Sequence, residues 1–352
     1  MKILAIDTSC DETAAAVTNK AQVVSNIVWS QAKIHSLYGG VVPNIAQRQH
    51  HLKINQVVKR AISTSGITVS ELDAIAVTTG PGLAVSLGVG ISKAKELAET
   101  FKIPLIPVNH IESHLLSPLA TNKSGLGNLK LNTPSLGIIL SGGTTLTVLI
   151  EKLGKYKILA QTHDDALGEA LDKAARLLGL GYPGAHLLEK LAKEGNKKEY
   201  PLPIPLIEDK IKNRFSYSGL KTAFFRLVES KKPLNRKIIV NLAATFQTTA
   251  FKHFTNVFEY QLKDLNKNGV YIKDVYFGGG VANNIEIKKL LRKICKDNKA
   301  NLHLPYNKKL NGDNAAMIGV CAYLKNKDLS AKDLVTKYLN YKEVDRNPKQ
   351  QI

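Results

Sequence analysis

Two histidines four residues apart, His110 and His114, stand in Asn109-His110-Ile111-Glu112-Ser113-His114, directly after an apolar stretch. If this segment opens a helix, positions i and i+4 share one face and two imidazoles can meet one ion. The zinc-protease signature His-Glu-x-x-His needs its glutamate beside the first histidine, whereas Glu112 is two residues on and points off that face. A third ligand comes from position within a repeat: Asp313, in Asn311-Gly312-Asp313-Asn314-Ala315-Ala316, occupies the place in the second half that His110 occupies in the first. Two imidazoles and one carboxylate leave coordination positions open, a set that favours iron(II), with zinc and manganese as alternatives. The competing reading makes Asp313 only the cap of a helix beginning at Ala315.

The elements that must position these residues are written twice. Residues 3–17 read as strand, polar turn, strand, and residues 135–150 repeat that shape, each with a loop of small and hydroxyl residues whose backbone N–H groups can receive an anion. Residues 73–82 and 274–281 are both a buried strand running into a glycine turn and then a helix-like segment. Apolar residues 103–108 precede His110, as residues 301–306 precede Asp313. The later pairs recur roughly 200 residues apart and the hairpins only about 134, which puts about 67 extra residues in the second half. The expected organisation is therefore a first α/β domain over 1–132, a second over 133–340 with a helical insertion at about 164–263, and a polar tail, 341–352, that frays. Ligands of open α/β sheets sit at the carboxyl ends of strands, so both sets of loops are expected to face one cleft, with the metal held there between the domains.

At 352 residues and 44% hydrophobic content the chain can bury two cores. Its net charge of +20 favours a polyanionic partner, nucleic acid first, although a lysine-rich surface can also reflect biased composition. Cys10, Cys295 and Cys321 are scattered and odd in number, which suggests neither a disulfide framework nor a zinc knuckle. No apolar run approaches the roughly 18 residues that span a bilayer, and the start carries no signal-peptide pattern, so a cytoplasmic enzyme is expected. There is no Walker-type glycine loop.

Taken together, the residues resemble the bacterial-type TsaD family, also called the Gcp or glycoprotease family, over nearly the whole chain. The motifs are Thr8-Ser9-Cys10-Asp11-Glu12-Thr13, Tyr38-Gly39-Gly40-Val41-Val42-Pro43, Gly80-Pro81-Gly82-Leu83, His110-x-x-x-His114, Asp164-Asp165-Ala166-x-Gly168-Glu169-Ala170 and Phe215-Ser216-Tyr217-Ser218-Gly219-Leu220-Lys221-Thr222. The resemblance implies an actin-like ASKHA fold, two duplicated RNase H-like domains around a central cleft. It implies transfer of a threonylcarbamoyl group from threonylcarbamoyl-AMP to the N6 amine of the adenosine beside the anticodon, in tRNAs that read codons beginning with A. By similarity the metal ligands are His110, His114 and Asp313, and the substrate contacts are Ile139, Leu140, Ser141, Gly142, Gly143, Asp172, Gly184, Ala185 and Asn284. It further implies a TsaB-like paralogue and a TsaE-like ATPase as partners.

Within that scheme the N–H groups of Ser141, Gly142 and Gly143 can cradle the phosphate, or simply turn a hairpin. Asp172 can accept from ribose hydroxyls or belong to a solvated helix face, and Asn284 can read the adenine edge or cap a helix. Asp11 or Glu12 is the candidate general base. Arg214 and Lys221 can track the tRNA backbone. The chain departs from the family at Thr144, where histidine is usual, at Ala185-His186 for Gly-Pro, and at Asn44 and Asn283. The rival readings are a metal-dependent endopeptidase, a sugar or acetate kinase of the same fold, and a non-catalytic ASKHA scaffold.

Overall fold

The computed structural model describes residues 1–127, 130–205 and 213–352. Its elements run β1 (Lys2–Asp7), β2 (Glu12–Asn19), β3 (Gln22–Ser30), α1 (Ala32–His35), α2 (Pro43–Ser65), β4 (Ala74–Gly80), α3 (Ala84–Phe101), β5 (Leu105–Asn109) and α4 (His110–Leu116). There follow β6 (Ser135–Leu140), β7 (Thr145–Lys152), β8 (Lys155–Thr162), α5 (Leu167–Leu177), α6 (Ala185–Ala192), β9 (Arg214–Phe215), α7 (Ser218–Ser230) and α8 (Arg236–Lys267). The last are β10 (Asp274–Gly278), α9 (Ile285–Asp297), β11 (Asn301–His303), α10 (Ala315–Asn326) and α11 (Ala331–Tyr338). The chain divides into two compact units, one of Met1–Leu131 with Leu304–Ile352 and one of Asn132–His303.

In the first unit the sheet order is β3-β2-β1-β4-β5. β1 lies antiparallel to β2 and parallel to β4, which is parallel to β5. Side chains alternate across a strand, so each buried strand serves two faces. Leu4, Ile6, Ala15, Val17, Ile75 and Val77 join Ile54, Val57 and Val58 of α2 and Leu87, Ile91 and Ala94 of α3 in one core. Apart from Ile3, the apolar residues at the alternate positions are small: Ala5, Ala14, Ala16, Ala74 and Ala76 are all buried. That alanine face lets α10 lie close on β1, β2 and β4. A Cβ at Gly319 of α10 would stand 2.7 Å from Thr18 Oγ1.

The packing of α10 moves a boundary. Residues 304–340 were expected within the second domain and 341–352 as a separate tail, yet all of them pack into the first unit, because the complement to the small α10 helix is the alanine face of the first sheet. The tail is also not frayed. Tyr341 and Val344 pack against the first core, and residues 346–351 hydrogen-bond to the turn after β4 and to Asn109.

In the second unit the order β11-β10-β6-β7-β8 repeats that of the first sheet, with β9 added beside β8. The duplication read from the three strand pairs is thus visible as topology. Between β8 and α8 lie α5, α6, β9 and α7, in the stretch where an insertion was expected. Residues 206–212 of that stretch, and residues 128–129 of the expected first domain, lie outside the described residues. Aromatic rings close this region: Phe224 lies 4.7 Å from Phe246 and Phe215 stacks 5.1 Å from Phe254.

Candidate metal centre and ligand loops

The carboxyl end of β5 runs directly into α4, so His110 is the first helical residue and His114 follows one turn later on the same face. Asn109 caps the helix: its side-chain oxygen accepts from Glu112 N at 3.0 Å, and Ser113 Oγ donates to its carbonyl. At the start of α10 the cap is Asn314, whose side-chain oxygen accepts from Met317 N at 3.1 Å. Asp313 is therefore not the cap, and its carboxylate is available for other partners.

His110, His114 and Asp313 bring one ligand atom each to within 4.8 Å of one another. Asp313 Oδ1 lies 3.1 Å from His114 Nε2 and 3.6 Å from His110 Nε2, and the imidazoles meet edge to face with centroids 4.7 Å apart. Two donors each about 2.1 Å from one ion stand about 3 Å apart at a right angle and about 3.4 Å apart at the tetrahedral angle, so the trio fits a metal. Buried polar atoms without partners surround it: Nδ1 of both histidines and Oδ2 of Asp7. The three ligands belong to one compact unit, which corrects the expectation that Asp313 is contributed by a second domain.

Asp7, at the carboxyl end of β1 and fully buried, completes the setting with Oδ1 3.8 Å from His110 Nδ1. Burial opposes a charge on His110, but the carboxylates of Asp313 and Asp7 outweigh it and bring the ring up to about 9. Burial likewise works against Asp313, yet His110 and His114 hold its carboxyl well below the usual range. Burial, with Asp313 adding to it, raises Asp7. Glu12, which accepts from Ser30 Oγ at 2.9 Å, is pushed well up by burial, by Asp11 and by Asp313. The same three influences push the Cys10 thiol up, so it is no ready nucleophile.

In the second unit Ile139 and Leu140 are buried at the end of β6, and Gly142 and Gly143 stand exposed in the turn beyond. Ser141 N–H donates to Thr144 O at 2.8 Å, so of the three N–H groups proposed for an anion it is already engaged. Gly168 abuts this turn, where a Cβ would fall 2.4 Å from Ser141 O. Asp172 Oδ1 accepts from Gly184 N and Ala185 N, both at 2.8 Å, so these three expected site residues meet at the start of α6. Asn284 is a buried cap: its oxygen accepts from Glu286 N and Ile287 N and its amide donates to Gln247 Oε1.

The model of the TsaD family, tRNA N6-adenosine threonylcarbamoyltransferase, matches residues 22–320. A relative of that description from Endomicrobium trichonymphae is 41% identical over 342 residues, covering 94% of each chain. One from Trichlorobacter lovleyi is 42% identical over 328 residues, covering 92% of each. The chain belongs to the TsaD family. It is accordingly an acyltransferase by family. Among solved structures it is similar to full-length HypF in its phosphate- and nucleotide-bound form, with a TM-score of 0.58 at 14% identity, covering 94% of this chain and 56% of that one. It is also similar to the activator of the 2-hydroxyisocaproyl-CoA dehydratase from Clostridium difficile, with a TM-score of 0.53 at 13% identity, covering 93% and 96%. These two likenesses show the fold, the duplicated actin-like ASKHA architecture.

Several TsaD-family motif residues had no assigned role in the sequence and acquire one here. Asp164 accepts from Ser216 Oγ and from Tyr217 N at 2.8 Å, tying two distant motifs together. Asp165 pairs with Lys173 and Lys221, so Lys221, proposed for the tRNA backbone, is an internal ion-pair partner. Glu112 is buried and pairs with Lys325 of α10 at 2.6 Å, which links the histidine helix to the helix after Asp313. Apart from Asp165 and Lys173, only spatial proximity reveals these pairs, since their members lie tens to hundreds of residues apart.

Proposed function

We propose that this chain transfers the threonylcarbamoyl group of threonylcarbamoyl-AMP to the N6 amine of the adenosine beside the anticodon in tRNAs reading codons that begin with A. The observation that carries the reading is the convergence of His110, His114 and Asp313 in a TsaD-family chain. Iron(II) is the ion this ligand set favours, with zinc and manganese as alternatives. Bound there, a divalent ion supplies positive charge toward the oxygen-rich donor.

The protein's own groups divide the remaining work. Gly142 and Gly143 N–H receive the adenylate phosphate, while Ser141, Gly168 and Ile139 with Leu140 set the shape of that turn. Asp172 holds Gly184 and Ala185 in place through one carboxylate oxygen and offers the other to the ribose. Asn284 acts by holding the start of α9 beside the nucleotide loop. Asp11 or Glu12, both in the loop between β1 and β2 or at its edge, accepts the proton from the attacking amine. The acceptor adenosine lies in a single-stranded loop, so its amine is presented without opening a duplex.

A TsaB-like paralogue and a TsaE-like ATPase complete the active assembly, and the reaction takes place in the cytoplasm. No helix among the described residues is long and apolar enough to cross a membrane. The endopeptidase reading loses its base, because Glu112 is buried in a pair with Lys325. The test is modified nucleoside formed from unmodified tRNA and threonylcarbamoyl-AMP with both partners. Wild type gives product and His110→Ala less than about a hundredth of it, a loss of the order expected for a group acting at a developing charge. No product from wild type sinks the transfer reading, and full activity in His110→Ala sinks the role of the metal.

A further inference from the structure

The tail grips the loops beside the candidate metal centre through backbone atoms. Asn347 N donates to Thr79 O at 2.7 Å and Gly82 N to Pro348 O at 3.3 Å, while Arg346 Nη1 reaches Ala84 O at 3.0 Å. Thr79 Oγ1 and Gln350 Oε1 are 3.3 Å apart. A Cβ at Gly80 would fall 1.8 Å from Asn347 O, so only glycine lets the tail lie on this turn. The last contact is to the histidine helix: Asn109 Nδ2 donates to Gln351 O at 3.0 Å. Asn109 is 7% exposed and its oxygen is committed to Glu112 N, so its two ends join the tail to the first turn of α4.

We propose that residues 346–351 are a strap that positions the metal-binding helix, and that Asn109 is the positioning residue through which it acts. This rests on the reading of His110, His114 and Asp313 as metal ligands. An unrestrained Asn109 amide leaves the direction of the first helical turn to the bonds with Glu112 N and Ser113 Oγ, both within α4 itself, and His110 is the next residue. Groups that orient ligands in this way typically alter metal affinity 10–100-fold. Because most strap bonds use the tail's backbone, its side chains can vary while Gly80 cannot.

The test is Co2+ titration of metal-free protein, followed by its visible absorption, in wild type and four variants. Deletion of residues 346–352 and Gly80→Ala each remove the strap, and Asn109→Asp keeps the cap acceptor but loses the donor to Gln351. All three are expected to raise the Co2+ dissociation constant about tenfold, with hydrogen exchange rising in α4 and far-ultraviolet circular dichroism unchanged. Lys349→Ala, an exposed side chain on the strap, is expected to match wild type. Wild-type affinity in the deletion and in Asn109→Asp overturns the strap even if Gly80→Ala fails to fold. Faster turnover after deletion also overturns it, in favour of a cover over the site. A wild type that binds no Co2+ overturns the metal reading and the strap with it.

Discussion

At the scale of single residues, the site depends on a division of labour between neighbours. Asn314 caps α10 and Asp313 is left to face the histidines; Asn109 caps α4 and His110 is left to face Asp313. The two neighbours should therefore separate experimentally. Asp313→Ala is expected to abolish Co2+ binding while the metal-free protein still folds and unfolds cooperatively in urea. Asn314→Ala loses the cap and its bonds to Leu310 O and Gly312 O, costs about 2 kcal/mol in the same unfolding experiment, and still binds Co2+. The reverse pattern would show that Asp313 is structural.

At the scale of elements, α8 and the residues around β9 and α7 are held by a neutral histidine. His253 is buried, and its Nε2 accepts from Ser216 N at 3.3 Å, a role that protonation abolishes. Burial brings the ring down to about 4, against opposing contributions from Pro205 and Asp164. The unfolded chain, with an ordinary histidine near 6.5, then binds more protons than the folded one between those values. The contribution of His253 is fully present above pH 6.5 and is lost as pH falls through that window toward 4. Between pH 7.5 and 4.5 wild type should lose roughly 2 to 3 kcal/mol more unfolding free energy than His253→Phe. Equal losses in the two proteins would place the acid sensitivity elsewhere.

At the scale of the whole molecule, the site depends on how closely α10 can approach a sheet. Gly319 packs on Thr18, which is fully buried and cannot turn aside into solvent. Alanine is the better helix former, yet Gly319→Ala is expected to destabilise the protein by about 1–3 kcal/mol through overpacking. It should also weaken Co2+ binding, because the same helix follows directly from Asp313. Adding Thr18→Ala restores room and should recover most of both losses. A Gly319→Ala protein as stable as wild type would show that the contact relaxes freely.

The duplicated strand pattern, the helical i, i+4 spacing of His110 and His114, and the trio with Asp313 were legible in the sequence, because each rests on local periodicity or on a repeat. The unit to which Asp313 belongs was not. That depends on Ala5, Ala14, Ala16, Ala74 and Ala76 meeting Gly319, and small residues carry no periodic signal that names their partner. Asp7 beside His110, Glu112 on Lys325 and Asp164 on Tyr217 were hidden for the same reason. Polarity read as disorder in residues 341–352, whereas their order comes from bonds to turn residues some 240–270 positions earlier. The sequence alone determined which elements form and which side chains can bind a metal, since those follow from short-range stereochemistry. Tertiary structure alone decided which helix shares a unit with which sheet and which polar atoms are already engaged, since both depend on contacts between residues far apart in the chain.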